Sequence, residues 1–215
     1  MLLEVLLGVA AVIVGYLLGS IPFAYIVARL SKGVDIRKVD TGNVGAATTM
    51  RGIGVWQGII VVICDAAKGA AAIFIAQALG LTLIWVMAAG FAAFLGHNFS
   101  VYLGFKGGHG AATTIGIFLV LVPLETFCAL VIIGIVLLIN YRRVLYRVVL
   151  ALSVGSPFLP FFIWVFGIWI FKEPFEKVLM LTIFAVVVVL FIVLRNLPSV
   201  FSPLQSPRQR WKERT

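Results

Sequence analysis

The feature that most constrains the fold of this chain is a series of long apolar runs separated by short polar connections. The runs lie near residues 3–28, 55–79, 81–100, 111–122, 124–140, 148–170 and 178–194. A helix needs about 20 mostly apolar residues to cross a bilayer. Of the 215 residues, 62% are hydrophobic and only 12% are charged, whereas a soluble domain is roughly a quarter charged. The sequence therefore predicts an all-α integral membrane protein with seven transmembrane helices, and it excludes a soluble enzyme, a disordered chain and a disulfide scaffold.

The number of helices depends on the segment Pro123-Leu124-Glu125. If Pro123 only kinked one long helix, the count would be six. Because proline breaks helices and a glutamate is costly in lipid, a tight turn between two helices is favoured.

The distribution of basic residues gives an independent test, since Lys and Arg concentrate on the cytoplasmic side of membrane proteins. Alternate connections carry 14 of the 17 basic residues: Arg29, Lys32, Arg37, Lys38, Arg51, Lys106, Arg142, Arg143, Arg147, Arg195, Arg208, Arg210, Lys212 and Arg214. The opposite side has only Lys172 and Lys177. We therefore expect an outside N-terminus and a cytoplasmic C-terminus, with one seven-helix domain at 1–200 and a basic cytoplasmic tail at 201–215. A six-helix chain would place the 142–147 cluster outside.

Two connections on the predicted cytoplasmic side are rich in glycine and basic residues. We call residues 35–51 the first loop and residues 104–114 the second loop. The pentapeptide Gly-Ala-Ala-Thr-Thr closes both, at 45–49 and 110–114, although the flanking residues do not support an internal repeat. Glycines let backbone N–H groups approach an anion, and a helix that starts directly afterwards adds its unpaired N–H groups. The sequence thus predicts a phosphate cradle at 106–110, with Arg37 and Arg51 as bidentate donors from the first loop. Simple helix packing is the alternative explanation of the glycines.

Charged and titratable residues also occur within the apolar runs. Asp65 and Lys68 are three residues apart, on one face of a predicted helix, where an unpaired charge is costly. We interpret them as a buried ion pair that fixes helix packing, with support of the site from below as the alternative. His97 fits a hydrogen-bonded interface residue better than a base. His97 and His109 alone make a poor metal site, and no metal is predicted.

Five short motifs follow one another between residue 19 and about residue 114. They are Gly19-Ser20-Ile21-Pro22-Phe23, Gly33-Val34-Asp35-Ile36-Arg37, Thr41-Gly42-Asn43-x-Gly45-Ala46 with Arg51, Asp65-x-x-Lys68-Gly69, and Gly96-His97 followed by Phe105-Lys106-Gly107-Gly108-x-Gly110. In this order they resemble the bacterial acyl-phosphate:glycerol-3-phosphate acyltransferases. That family has the same seven-helix topology with the N-terminus outside.

The resemblance implies a reaction in the bacterial inner membrane. A fatty acyl group moves from acyl phosphate to the 1-hydroxyl of glycerol 3-phosphate and gives lysophosphatidate for phospholipid synthesis, without a metal or other cofactor. The expected partners are these two substrates and membrane lipid, not nucleic acid, and the oligomeric state is left open. The resemblance implies substrate contacts at Thr41 and Asn43, and we expect these two residues and His97 to be catalytic. Asp65 and Lys68 are expected to support the site within the membrane. The expected phosphate-binding residues are Arg37, Arg51, Lys106, Gly107, Gly108, His109 and Gly110.

The chain departs from the family pattern at several positions. His109 stands where the family usually has lysine, so the second loop loses a fixed charge unless bound phosphate keeps the imidazole protonated. Ala47 and Thr48 replace a Thr-Asn pair, and the closing Arg-His…Asn motif is reduced to Arg195-Asn196. Two alternatives therefore stay open: a divergent paralogue that uses another polyol phosphate, and a non-catalytic membrane protein that binds phospholipid or transports anions.

Overall fold

The structure is a computed structural model that describes residues 1–40, 42–139 and 156–201. All the regular secondary structure in these ranges is helical. The α-helices are α1 (Leu2–Ser20), α2 (Phe23–Lys32), α3 (Ala46–Gly52), α4 (Val55–Ala78), α5 (Leu83–Asn98), α6 (Ala111–Leu121), α7 (Pro123–Ile139), α8 (Phe158–Val165) and α9 (Phe175–Phe201). Short 3-10 turns form at Ile36–Lys38 and Val101–Leu103, and a π-helical turn at Phe166–Ile170 follows α8.

Four helical segments in the described ranges are long and apolar enough to cross a bilayer. They are Leu2–Lys32, Val55–Ala78, Leu83–Leu103 and Phe175–Arg195. Three shorter apolar helices lie at Ala111–Leu121, Pro123–Val136 and Phe158–Ile170. Each of the seven predicted runs thus contains a helix, although the first part of the 148–170 run, the basic cluster at 142–147 and the tail beyond residue 201 lie outside the described residues.

The first apolar run, predicted as a single span at 3–28, forms one candidate span at Leu2–Lys32, but its helix is interrupted. α1 ends at Ser20, and α2 begins at Phe23, directly after Pro22. Proline has no N–H to donate to the preceding turn, so the break falls at this residue. The carbonyl of Ile21 accepts a hydrogen bond from Lys68 Nζ at 2.9 Å. This hydrogen bond connects the break between α1 and α2 directly to a buried side chain of α4.

Glycines bring α1 and α5 into close contact. A Cβ atom at Gly15 would lie 2.5 Å from the carbonyl oxygen of Ala89, and one at Gly19 would overlap the carbonyl oxygen of Ala93. Small residues that let two backbones touch are the usual device of helix packing in membranes. This contact holds the C-terminal end of α5, which carries His97, against the broken end of α1.

One face of α4 contacts the two helices that begin within the loops, α3 and α6. Gly58 packs against Met50 of α3, and Gly69 packs against Thr113 of α6. Asp65 and Lys68 lie between these two glycines on the buried side of the helix. Because residues 58, 65 and 69 fall on one face at 3.6 residues per turn, α4 contacts both loop helices and carries its ion pair on the same face.

The interior of the bundle is aromatic, and much of its outer surface is apolar. Phe94 lies edge-on to Phe191 of α9, with ring centroids 5.2 Å apart, and Phe118 contacts Phe184 at 5.4 Å. Many large apolar side chains on α1, α4, α7 and α9 are exposed. An exposed apolar surface of this extent is typical of helices that face lipid.

The predicted break near Pro123 is present, but its form differs from the tight turn that we expected. α6 ends at Leu121, and α7 starts at Pro123 itself, so the proline occupies the first position of a helix. That position suits proline because its missing N–H would be unpaired there in any case. Glu125 is buried in the first turn of α7 and does not face lipid.

Candidate active site

The two glycine-rich loops meet at one end of the bundle. Asn43 Nδ2 of the first loop lies 3.4 Å from His109 Nδ1 of the second. The backbone of Val44 also lies against Gly108, where an added Cβ would be 2.7 Å from the Val44 carbonyl oxygen. The structure therefore joins residues more than 60 positions apart into one polar surface.

Both copies of the pentapeptide begin a helix. Gly45 precedes α3, and Gly110 precedes α6. The N–H of Thr49 donates to the carbonyl of Gly45 at 3.1 Å, and the N–H of Thr114 donates in the same way to Gly110 at 2.9 Å. Gly110 has a φ of +81°, a conformation that favours glycine. The repeated sequence is thus a shared helix start, as the predicted cradle at 106–110 requires.

The second loop is fixed against the end of α5. The N–H of Gly108 donates to the carbonyl of His97 at 3.1 Å, and a Cβ atom at Gly108 would overlap the Nε2 atom of that histidine. Lys106 stands exposed ahead of these glycines, while Gly108 and Gly110 are buried. The loop therefore presents an exposed cation beside a tightly packed backbone at the N-terminal end of α6, where helix geometry favours anions.

A buried polar cluster formed by Asp65, Lys68 and His97 lies beneath the loops. Lys68 Nζ is 2.8 Å from Asp65 Oδ1, and His97 Nδ1 is 3.5 Å from the same oxygen. The side chains of Asp65 and Lys68 are each 3% exposed, which confirms the ion pair expected from their spacing. A cavity of about 10 Å³, the space of roughly one water molecule, is lined by all three and by Gly107 and Gly108. The cluster is therefore in direct contact with the second loop.

His109 is uncharged near neutral pH in this structure. Burial, the positive charge of Arg195 and the neighbouring His97 lower the pKa of His109 to about 4. A neutral ring can accept a hydrogen bond from Asn43 at Nδ1. In the absence of bound anion, His109 therefore links the two loops by hydrogen bonding rather than by charge.

The two arginines expected to bind phosphate are each paired with an aspartate. Arg37 binds Asp35 at 2.7 Å, and this guanidinium lowers the pKa of Asp35 to about 2. Arg51 pairs with Asp40 at 2.6 Å. Thr41, a predicted catalytic residue, lies outside the described residues. The structure thus places Asn43, His97 and the second loop together, and it shows Arg37 and Arg51 in ion pairs within the first loop.

One residue at this surface was not among the predicted site residues. Arg195, near the C-terminal end of α9, donates from Nε to the carbonyl of Gly108 at 3.3 Å and from Nη2 to the carbonyl of Asn98 at 3.4 Å. Its position in the sequence could have indicated a role at the site, because Arg195 ends the last apolar run and begins the reduced closing motif Arg195-Asn196. No set of three His, Cys, Asp or Glu side chains converges as metal ligands within the described ranges.

Comparison with known proteins identifies the family. The model of the family described as glycerol-3-phosphate acyltransferase matches residues 9–201. The chain belongs to this family. The resemblance drawn from its motifs is therefore confirmed.

Two bacterial relatives show the extent of the sequence similarity. The glycerol-3-phosphate acyltransferase of Anaeromyxobacter dehalogenans strain 2CP-1 is 48% identical over 130 residues, which cover 59% of this chain and 65% of that protein. The glycerol-3-phosphate acyltransferase 2 of Moorella thermoacetica is 47% identical over 122 residues, covering 57% and 62%. These alignments span less than two thirds of the length of either relative.

Solved structures extend the similarity over most of the fold. Crystal structures of PlsY, an integral membrane glycerol 3-phosphate acyltransferase, match with 31% identity. The glycerol 3-phosphate form gives a TM-score of 0.77 and covers 90% of each chain. The lysophosphatidic acid form gives 0.75 and covers 90% of this chain and 89% of the other. Together with the apolar helices, this similarity shows that the present chain is an all-helical integral membrane protein.

Proposed function

We propose that this protein is an acyltransferase of the bacterial inner membrane that moves a fatty acyl group from acyl phosphate to the 1-hydroxyl of glycerol 3-phosphate. The observation that carries the proposal is the meeting of the two glycine-rich loops at the start of α6, in a chain of this family. Both substrates carry a phosphate group, and the joined loops offer glycine backbone, Asn43 and Lys106 around one surface.

In the proposed reaction, the 1-hydroxyl oxygen attacks the acyl carbonyl carbon and the bond from that carbon to the phosphate oxygen breaks. The hydroxyl proton ends on the departing inorganic phosphate, so lysophosphatidate and phosphate are the products. Because acyl phosphate is already activated, much of the acceleration comes from positioning and from stabilisation of the developing negative charge. Lys106, Asn43 and the N–H groups of Gly107, His109 and Gly110 supply that stabilisation, and Thr41 supplies a further hydroxyl contact.

Arg37 and Arg51 complete the phosphate-binding set from the first loop. Arginine carries five N–H donors, and Arg37 binds Asp35 through Nε and Nη2, while Arg51 is held beside Asp40. A phosphate that enters between the loops therefore binds beside the existing ion pairs. In this proposal Arg51, which follows the helix start at 45–49, serves the glycerol 3-phosphate, and the N-terminal end of α6 serves the acyl phosphate.

Asp65, Lys68 and His97 act in this proposal as positioning residues beneath the loops. The ring of His97 is buried between Asp65 and Gly108, which favours a role in holding the second loop over a role as base. Lys68 extends the same support to the broken end of α1 through the Ile21 carbonyl. We therefore propose a structural role for His97, while its expected catalytic role stays a prediction.

The membrane arrangement follows from the charge pattern. We infer seven transmembrane helices with the N-terminus outside and the loops and C-terminus on the cytoplasmic side. Support comes from the seven apolar helical segments and from the 14 basic residues on alternate connections. Cysteine accessibility at an introduced Lys172→Cys and Lys106→Cys tests it: labelling of position 172 alone by an impermeant reagent in intact cells is expected, and the reverse pattern would overturn it.

The activity is tested with purified protein, palmitoyl phosphate and glycerol 3-phosphate. Lysophosphatidate and inorganic phosphate should appear in equal amounts. An Asn43→Ala variant should lose most of the activity, while Lys177→Met, at an exposed site on α9, serves as the matched control. Folded wild-type protein that forms no lysophosphatidate would rule out the proposed reaction.

His109 supports a second candidate, an acyltransferase that prefers another polyol phosphate, because its uncharged ring replaces the usual lysine of the loop. His109→Lys distinguishes the two. A large gain with glycerol 3-phosphate favours a family member with a weakened site for this acceptor. A loss with glycerol 3-phosphate, together with wild-type turnover of another polyol phosphate, favours the second candidate. Anion flux into proteoliposomes without any acyl product would instead indicate a transport protein.

A further inference from the structure

Helix α9, which belongs to neither loop, places the side chain of Arg195 at the candidate site. Arg195 is half-buried near the C-terminal end of α9. Its guanidinium group joins the second loop to the end of α5. Nε binds the Gly108 carbonyl of the second loop, and Nη2 binds the Asn98 carbonyl at the end of α5. A planar guanidinium suits such a two-point contact, which a lysine ammonium cannot reproduce.

Aromatic rings hold this side chain in place. The guanidinium carbon lies 5.0 Å from the centre of the Phe99 ring. Phe99 in turn packs edge-on against Phe191, which is one helical turn before Arg195 on α9, with centroids 6.2 Å apart. Cation–π contact and ring packing therefore restrict the rotamers of Arg195, so little side-chain entropy remains to be lost on hydrogen bonding.

The contact with Gly108 also fixes the direction of a neighbouring donor. In a trans peptide, the carbonyl of one residue and the N–H of the next point in opposite directions. When the Gly108 carbonyl faces Arg195, the N–H of His109 faces away from it. Since the N–H of Gly108 is already bound to the His97 carbonyl, Arg195 sets the orientation of the next amide in the loop.

We propose that Arg195 is a positioning residue of the second loop: it holds residues 107–110 against the end of α5 and places a permanent positive charge beside them. This inference rests on the proposed acyl transfer for its catalytic consequence, but not for its structural one. Arg195 and Lys106 then flank the loop with two fixed charges, while His109 contributes hydrogen bonding to Asn43.

The kinetic test compares Arg195→Met and Arg195→Lys with the Lys177→Met control, which removes a cation from the far end of the same helix. Arg195→Met should raise KM for a phosphate substrate about tenfold or more, as expected for the loss of charge-assisted hydrogen bonds. Arg195→Lys should restore part of this loss because it keeps the charge without the fork. An unchanged KM in Arg195→Met, or an equal effect of Lys177→Met, would overturn the proposal.

A second readout does not depend on activity. The chain has only two histidines, so the imidazole NMR signals of labelled protein in micelles can be assigned with a His97→Gln variant. The groups near His109 are Arg195, His97 and Asn43. Arg195→Met should raise the pKa of His109 from about 4, whereas Arg195→Lys should leave it low.

The two readouts separate the possible failures. If wild-type protein forms no lysophosphatidate while the His109 pKa responds as expected, the acyl transfer is wrong and the placement of Arg195 stands. If wild-type protein is active and the pKa of His109 stays the same in Arg195→Met, the proposed role of Arg195 is wrong. Should Arg195→Met fail to fold, Arg195→Lys still decides the matter, because a KM equal to wild type would exclude the two-carbonyl contact.

Discussion

A methyl group added at Gly108 tests how closely the two loops must approach. Gly108→Ala requires no unusual backbone angle, because Gly108 is absent from the residues with positive φ. Its Cβ would nevertheless overlap His97 Nε2 and lie 2.7 Å from the Val44 carbonyl oxygen, so this carbonyl must retreat by about 0.7 Å to reach the 3.4 Å of an ordinary contact. Either the His97 ring leaves Asp65 or the first loop moves away from the second.

Overpacking of this kind costs about 1–3 kcal/mol. If the cost falls on the geometry of the site, kcat/KM for lysophosphatidate formation should drop by about 5- to 150-fold. The assay follows phosphate release from palmitoyl phosphate at several glycerol 3-phosphate concentrations, with a thermal melt of each variant in detergent. The melting temperature should stay close to that of the wild type even where kcat/KM falls.

Two controls isolate the clash. Gly104→Ala, in the same loop, meets no atom within 4 Å but sits at a φ of +66°, so it reports backbone strain alone. His97→Ala combined with Gly108→Ala removes the overlapping ring, and the double variant should lose less than the product of the two single effects. Full activity in Gly108→Ala, or strictly multiplicative losses in the double variant, would refute the idea that the loops are held together at this point.

Three further predictions concern other parts of the structure. Inorganic phosphate or glycerol 3-phosphate should raise the pKa of His109 above about 4, since a bound anion favours the charged ring; a titration by NMR that shows no change would contradict binding beside this residue. Asp65→Asn leaves the Lys68 ammonium buried without its carboxylate and should destabilise the fold by about 3–5 kcal/mol, whereas adding Lys68→Met should recover much of the melting temperature. Gly19→Ala should lower the melting temperature through its overlap with α5, while Gly134→Ala, with open space around it, should not.

Much of the fold is predictable from hydrophobicity alone. Each apolar run contains a helix because the bilayer forces backbone groups to pair within the segment. The ion pair of Asp65 with Lys68 is equally predictable, since three-residue spacing puts two charges on one face of a helix. The helix start after Gly110 also follows from local sequence, whereas the short helix α3 after Gly45 was not predicted.

Other features depend on contacts that local sequence does not specify. The break between α1 and α2 occurs inside a continuous apolar run, and it is stabilised by Lys68, which is 47 residues away. In the sequence, Arg195 indicates only the orientation of the chain in the membrane, because nothing local links it to Gly108, 87 residues earlier. From the sequence, Arg37 and Arg51 were interpreted as phosphate donors without their aspartate partners. Their pairing with Asp35 and Asp40 depends on how the first loop folds.

Helix α4 touches α3 through Gly58 and α6 through Gly69, so the spacing of these two contacts sets the distance between α3 and α6. The two glycines are eleven positions apart, which corresponds to about 16.5 Å along the axis at 1.5 Å per residue. The separation of the two loop helices is thus set by a rigid element, and the loops themselves need only bend. A single residue inserted between the two glycines would rotate one contact by about 100° relative to the other. It would therefore take the two halves of the site out of alignment while leaving every residue of both loops unchanged.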